Sequence, residues 1–229
     1  GKNTVGFNTN LRRKNLSYSI LYSQQTYEQE MFKQLFAIFA NKYSMKFYEQ
    51  NISYNFSEID IFPYDVLIFT GATVWQRKWE TEKYISLIRK LQKYNLKIAL
   101  IGGKSELNTN GLIHLTCNTI DNLTNKLSIP ELGYLFKISK VLFSTDSGIL
   151  HLGAISGIKT VSMFGSGIET KWAPKGNNHI VINKNLPCSP CTKFGYMKKC
   201  KINAKCMRDI GVDDIFDAIM ELLRLEGGK

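Results

Sequence analysis

"STDSGILHL" (144–152) decides how this chain reads. It follows the β-branched, apolar run Val141-Leu142-Phe143. An apolar run closed by Ser-Thr-Asp-Ser-Gly reads as a strand, a tight turn and the first turn of a helix. Asp146 or Ser147 can cap that helix. Gly148 lets a ligand approach the backbone closely. The exposed N–H groups of such a helix start attract phosphate, aided by the helix dipole. His151 lies one turn beyond Ser147, on the same face, and can point back toward it. Two readings stand at this point: a diphosphate or nucleotide cradle, or a capped helix with a half-buried histidine.

The neighbouring segments repeat the strand–helix pattern. "DVLIFT" (65–70) reads as a strand buried on both faces. "WETEKYISLIRKLQKY" (79–94) carries Tyr84, Leu87, Ile88 and Leu91 at helical spacing. "LKIALIGG" (96–103) is the next strand, ended by two glycines. "SIPELGYLFKIS" (128–139) reads as a helix with Ser128 as N-cap and Glu131 completing a capping box. "KVLFST" (140–145) is a strand, "SGILHLGAIS" (147–156) a helix, and "KTVSMFG" (159–165) and "HIVIN" (179–183) strands. "DDIFDAIMELLRL" (213–225) closes the chain as an amphipathic, core-facing helix. "LIHLTC" (112–117) fits strand or helix. This alternation implies an α/β fold with a mostly parallel sheet and right-handed crossovers. Ligands of such sheets sit beyond the carboxyl ends of the strands, where "STDSGILHL" falls.

Residues 1–60 differ. "TVGF" (4–7) reads as a strand, and "YEQEMFKQLFAIFANKY" (27–43) as a helix carrying Met31, Leu35, Ile38 and Phe39 at helical spacing. The polar "EQNISYNFSE" (49–58) reads as a linker. The expected division is 1–60, the tail of an N-terminal α/β domain and linker, and 61–229, a Rossmann-like domain.

Composition narrows the function classes. The 229 residues suffice for one large domain or two small ones. No apolar run approaches the roughly 18 residues of a membrane span, and the start lacks the order of a signal peptide. The expectation is a soluble, cytoplasmic protein. Lys plus Arg exceed Asp plus Glu by 30 to 19, a formal charge of +11. The densest spots are "LRRK" (11–14) and "KKCK" (198–201). Either a solvated basic face or an anion-facing surface accounts for this excess. Cys188, Cys191, Cys200 and Cys206 form a cluster in sequence, whereas Cys117 stands apart as a small buried hydrophobe. The cluster reads as a structural zinc site, low in specificity because its second half is irregularly spaced, or as reduced thiols packed in a loop.

Three stretches carry a resemblance. "STDSGILHLGAISGIKTVSMFGSGIETKWAP" (144–174), "GATVWQRKWETEKYISLI" (71–88) and "CSPCTKFGYMKKCKINAKCMRDI" (188–210) occur in that family's order and are similar to glycosyltransferase family 9, the lipopolysaccharide heptosyltransferases. In the first, the matching positions are Asp146-Ser147-Gly148, His151, Ala154, Gly157, Phe164-Gly165 and Trp172-Ala173-Pro174. The resemblance covers 63–225 well and 1–60 loosely. It implies a GT-B architecture of two Rossmann-like domains, with the acceptor on the N-terminal one and the nucleotide sugar, in that family usually ADP-heptose, on the C-terminal one.

The resemblance also implies roles. Asp146, Ser147 and Gly148 match contacts to the donor's pyrophosphate and sugar, with His151 below them. Thr73 matches a phosphate contact. Arg77 or Lys78 matches the basic residue that neutralises the leaving diphosphate. Glu106 matches an acid that holds the nucleoside. Leu127 stands near the adenine, where relatives carry Met or Thr, and Asn125 where Gly is common. The family's catalytic base is an aspartate of the N-terminal domain, and no position here matches it. That base is expected upstream of Gly1. The implied reaction needs no metal, its acceptor is a lipid-anchored saccharide at the inner membrane face, and nucleic acid is no partner. Trp172 reads as sugar-stacking or as packing. The competing reading is a catalytically silent nucleotide-sugar-binding module, or a zinc-dependent scaffold for nucleic acid.

Overall fold

The computed structural model describes residues 4–8, 16–23, 25–43, 61–193 and 196–224. The basic stretch at 11–14 and the linker expected at 49–58 lie outside the described residues.

Strands β1 (Val5–Asn8) and β2 (Tyr18–Leu21) pair in parallel, Val5 opposite Tyr18 and Asn8 opposite Leu21. Helix α1 (Glu28–Tyr43) follows, with Glu28 and Glu30 in its first turn, where carboxylates suit the dipole. Phe7 packs edge-on against both Tyr22 and Phe32. The second strand of this unit has no counterpart in the sequence reading. Its four residues carry one half-buried position, too little for an alternating pattern.

The main sheet is built from β3 (Val66–Phe69), β4 (Ile98–Ile101), β5 (Asp121–Asn122), β6 (Val141–Thr145), β7 (Lys159–Phe164) and β8 (His179–Asn183). Its spatial order is β5-β4-β3-β6-β7-β8, and every pairing is parallel. From β3 successive strands are added outward to β5, and after a crossover β6 to β8 are added on the other side of β3. That is the Rossmann order, with its switch point between β3 and β6.

Both faces of the sheet are covered, which is why its central strands are continuous apolar runs. Val66, Ile68, Ile98, Leu100, Val141 and Phe143 face one core with helix α2 (Thr81–Gln92), α3 (Leu107–Thr116) and the final helix. Their alternates Leu67, Phe69, Ala99, Ile101 and Leu142 face the other, with α4 (Ile129–Ile138) and α5 (Gly148–Ser156). The ambiguous "LIHLTC" is helical: Ile113 and Cys117 enter the core, while Leu112 and Leu115 point outward. Ser128 caps α4, and Glu131 closes the box onto the Ser128 amide. Gly157 ends α5 at φ +91°, a conformation a side chain opposes.

Beyond β7 come α6 (Glu169–Trp172), the small hairpin β9 (Thr192–Lys193) and β10 (Tyr196–Met197), α7 (Lys205–Arg208) and α8 (Val212–Arg224). Helix α8 buries Ile215, Phe216, Ala218, Ile219 and Leu222. Its acids face outward, and Asp213 and Asp214 pair with Lys90 and Lys184. No helix among the described residues is long and apolar enough to cross a membrane.

Candidate functional site

The carboxyl ends of β3 and β6 are stitched together. Thr145 donates its hydroxyl to the Gly71 carbonyl at 2.8 Å. The wholly buried Asn110 extends the stitch. It accepts from the Thr70 hydroxyl at 2.6 Å and donates to the Ile101 carbonyl at 3.2 Å and the Thr124 hydroxyl at 2.7 Å. One side chain on α3 thus fixes the loops after β3, β4 and β5. Asn110 was not legible in the sequence, because a polar residue in an ambiguous segment gives no sign that it turns inward.

A cavity of about 770 Å³ opens beside this stitch. Thr73, Glu106, Leu127, Ser147 and Gly148 all line it, five of the candidate residues from four loops. Glu106 is nearly buried, and its Oε2 accepts from the Gly103 amide at 2.8 Å. A Cβ on Gly71 would meet the Phe69 ring and lie 2.6 Å from Glu106 Oε1, so a larger residue there would displace this carboxylate. Asn125 sits at φ +59°, in the left-handed region. Asparagine tolerates that region better than most residues, which explains how it stands where Gly is common. Ser147 is the helix cap: its Oγ accepts from the Leu150 amide at 3.3 Å and lies 3.0 Å from Ser144 Oγ.

Asp146 does not cap. It is 6% exposed and faces Arg77, with Arg77 Nη2 3.1 Å from Asp146 Oδ2. Arg77 Nη1 donates to the Asp146 carbonyl at 3.0 Å, and Arg77 Nε is buried without an acceptor among the described residues. Burial raises the Asp146 carboxyl above its ordinary value, opposed by the charges of Arg77 and His151. Gly167 packs so close to this carboxylate that a side chain there would collide with it.

Four expected residues fall elsewhere than on the large cavity: Asp146, Arg77, Lys78 and His151. Arg77 is turned to Asp146. Lys78, exposed, lines a smaller cavity of about 110 Å³ with Thr70, Trp79 and Glu106. The 3₁₀ turn Trp75–Arg77 makes successive side chains diverge. His151 is not on the large cavity. It lines a separate cavity with Trp172, ring centroids 6.2 Å apart at 63°. Burial lowers the His151 pKa, with Asp146 acting against that shift. Trp79 is packing: it is buried, meets Tyr84 and Phe143 edge-on, and donates to the Ile210 carbonyl at 3.1 Å.

The cysteine loop docks on the end of β7. The amides of Cys191 and Thr192 donate to the Ser166 carbonyl at 3.2 and 3.0 Å. Cys206 is buried against Gly165, Cys188 is exposed, and Cys200 Sγ accepts from the Ala204 amide. Burial pushes the Cys191 and Cys206 thiols up, and the neighbouring cysteines add to the shift. Among the described residues no three His, Cys, Asp or Glu side chains form a group able to hold a metal ion. Cys188, Cys191 and Cys200 nevertheless line one cavity of about 510 Å³, and Cys206 lies within electrostatic reach of all three.

Comparison with known proteins adds three findings. The model of glycosyltransferase family 9 (heptosyltransferase) matches residues 2–202. The chain is 26% identical over 179 residues to lipooligosaccharide heptosyltransferase 2 of Campylobacter jejuni, covering 77% of this chain and 45% of that protein. It therefore spans about half the length of that relative. Among solved structures, a family 9 glycosyl transferase from Veillonella parvula aligns over 98% of this chain and 68% of its own, with TM-score 0.74 and 16% identity. The Escherichia coli heptosyltransferase WaaC with ADP-2-deoxy-2-fluoro heptose aligns over 92% and 61%, with TM-score 0.64 and 15% identity. At these identities the likeness establishes the fold, the GT-B-type α/β arrangement.

Proposed function

This chain belongs to glycosyltransferase family 9, and on that premise we propose that it carries the donor-binding half of an enzyme moving a heptose from ADP-heptose to a lipopolysaccharide or lipooligosaccharide core acceptor. In this reading residues 61–229 hold the nucleotide sugar, and residues 1–60 belong to the acceptor-side domain and linker. One observation carries the proposal: Thr73, Glu106, Leu127, Ser147 and Gly148, from four separate loops, line one cavity at the switch point.

The roles follow from chemistry. Glu106 and Leu127 take the nucleoside, one by a carboxylate and one by an apolar contact. Thr73 and the α5 N-terminus, with Ser147 and Gly148, take the diphosphate. Glycosyl transfer builds positive charge at the anomeric carbon and negative charge on the departing diphosphate. Fixed cations near that phosphate lower the barrier. Arg77, with its buried unsatisfied Nε, and the exposed Lys78 are the chain's candidates for that task. Guanidinium can engage phosphate with two parallel donors, whereas ammonium acts as a point charge. Asp146 holds Arg77 until the diphosphate competes for it, and His151 stands behind Asp146. The base that takes the acceptor's proton is assigned to the acceptor side of the cleft. We place the enzyme at the inner face of the cytoplasmic membrane, where Lys198, Lys199 and Lys201 offer charge to anionic headgroups.

Calorimetric titration with ADP and ADP-heptose tests the reading. Binding is expected for both, weakened more than about tenfold by Asp146→Ala, which frees Arg77 from its partner and unsettles the turn. No heat from either nucleotide, with the circular dichroism of a folded chain retained, would defeat it.

A further inference from the structure

The cysteine loop encloses a cavity of its own, the one of about 510 Å³. Cys188, Cys191 and Cys200 line it together with Lys198, Lys199 and Lys201. No step of the donor reading uses these thiols.

The small hairpin explains why two of them come close. Strands β9 and β10 pair antiparallel, Tyr196 opposite Lys193 and Met197 opposite Thr192. That register, carried one residue further, sets Cys191 against Lys198 and Cys200 diagonally beyond it. Diagonal neighbours across such a pair lie about 7–8 Å apart, and a disulfide spans about 4.4–6.8 Å between Cα atoms. Closing the open end of the hairpin by about 1–2 Å therefore brings the two within bonding range. Both residues are half-buried on the cavity, so a small reagent there reaches either sulfur.

The two sulfurs are not equivalent. Cys200 Sγ already holds an N–H donor, from Ala204 at 3.2 Å, and lies among the lysines. That is the setting in which a sulfur attacks as an anion. Burial raises the Cys191 pKa most, Cys200 and then Cys188 raise it further, and the Arg77 charge works against them. Cys191 therefore stays a neutral thiol, suited to a second step.

We propose that Cys191 and Cys200 form an oxidation site for hydroperoxides, coupled through Ser166 and Gly167 to the Arg77–Asp146 pair. The Cys200 sulfur attacks a peroxide oxygen, the O–O bond breaks, and Cys200 sulfenic acid and water form. The Cys191 sulfur then attacks the Cys200 sulfur, the S–O bond breaks, and the departing hydroxide takes the Cys191 proton to become water. Two thiols and one hydrogen peroxide become one disulfide and two waters. A bond that forms and is reduced again is the kind a reducing compartment allows.

The coupling follows the anchors of the loop. The Cys191 and Thr192 amides donate to the Ser166 carbonyl, and the Ser189 hydroxyl donates to the Gly165 carbonyl. Gly167, next along, packs against the Asp146 carboxylate that holds Arg77. Drawing Cys191 toward Cys200 pulls on the Ser166 carbonyl and loosens the support beneath that pair. The disulfide thereby lowers the affinity for ADP, a consequence that rests on the donor reading above.

The test treats the 229-residue chain, purified under reductant and then freed of it, with hydrogen peroxide. Quenching in denaturant, alkylation of the remaining thiols and peptide mapping by mass spectrometry identify any bonded pair. Calorimetry on the reduced and oxidised samples reports ADP. A Cys191–Cys200 disulfide reversed by dithiothreitol is expected, with ADP weakened about tenfold. Cys188→Ser should leave the bond forming, and Cys200→Ser should abolish it while the circular dichroism of a folded chain is retained. A folded wild-type chain in which peroxide leaves both thiols free, stops at sulfinic acid, or links Cys188 to either overturns the inference. Thiols that resist alkylation in the folded chain until a chelator removes a bound metal ion overturn it as well. The disulfide with undiminished ADP binding overturns the coupling and leaves the donor reading standing. The disulfide with ADP bound by neither form removes the donor reading and upholds the oxidation site.

Discussion

Arg77→Met removes the guanidinium and leaves Asp146 in place. Two contacts go. The hydrogen bond from Nη1 to the Asp146 carbonyl contributes about 1 kcal/mol, whatever the pH. The ion pair is different, because the remaining carboxylate is 7% exposed by its side chain and has no other cation at hydrogen-bond distance among the described residues. Breaking a fully buried pair costs about 3–5 kcal/mol. Arg77 keeps 21% of its side chain exposed, so the pair is partly screened, and about 2 kcal/mol is the appropriate size. The sign with pH follows from the direction of the shift. Burial already raises the folded pKa of Asp146, and Arg77 counteracts this. Without Arg77 the folded pKa rises further above the unfolded one. A carboxyl of that kind favours the folded state when protonated, and that contribution is lost as pH rises through its folded pKa. The variant should therefore lose about 3 kcal/mol at pH 8 and markedly less near pH 5. Urea unfolding at the two pH values measures it. In an Asp146→Asn background the pH-dependent part should vanish and the residual loss of about 1 kcal/mol should remain. An equal penalty at both pH values, or one untouched by Asp146→Asn, would refute the reasoning.

Asn110→Ala orphans the Thr70 and Thr124 hydroxyls and the Ile101 carbonyl. At about 1 kcal/mol each after partial rescue by water, the loss is about 3 kcal/mol, a fall in Tm of roughly 6–12 °C by calorimetry. Gly157→Ala meets no neighbour but must hold φ at +91°, and urea unfolding should show a loss of about 1 kcal/mol. Burial lowers the pKa of His179, whose Nδ1 lies 2.9 Å from Thr160 Oγ1. Its unfolded state binds protons more readily, so stability should fall as pH drops below the ordinary histidine range, and His179→Gln should flatten that part of the stability–pH curve.

The α/β fold was legible because its signals are local and repetitive. Buried parallel strands show as apolar runs, such as Val66–Phe69 and Ile98–Ile101, and α4 announces itself through Ser128 and Glu131. Segments short of such signals were not legible. "LIHLTC" places Ile113 inward and Leu112 and Leu115 outward, a pattern that strand and helix periods serve equally badly. Five candidate donor contacts, Thr73, Glu106, Leu127, Ser147 and Gly148, meet in one cavity, because each follows a strand and parallel strands deliver their ends to one edge.

The sequence by itself determined the order of strands and helices, the edge of the sheet at which the loops gather, and the residue types available there. Those depend on periodicity and turn chemistry within a few neighbouring residues. Only the tertiary structure decided that Arg77 turns onto Asp146, that His151 meets Trp172, and that Lys171 lies buried against Glu28, 143 residues earlier in the chain. A side chain's direction and partner are set by distant elements packing against it, and that information is absent from its own neighbourhood in the chain.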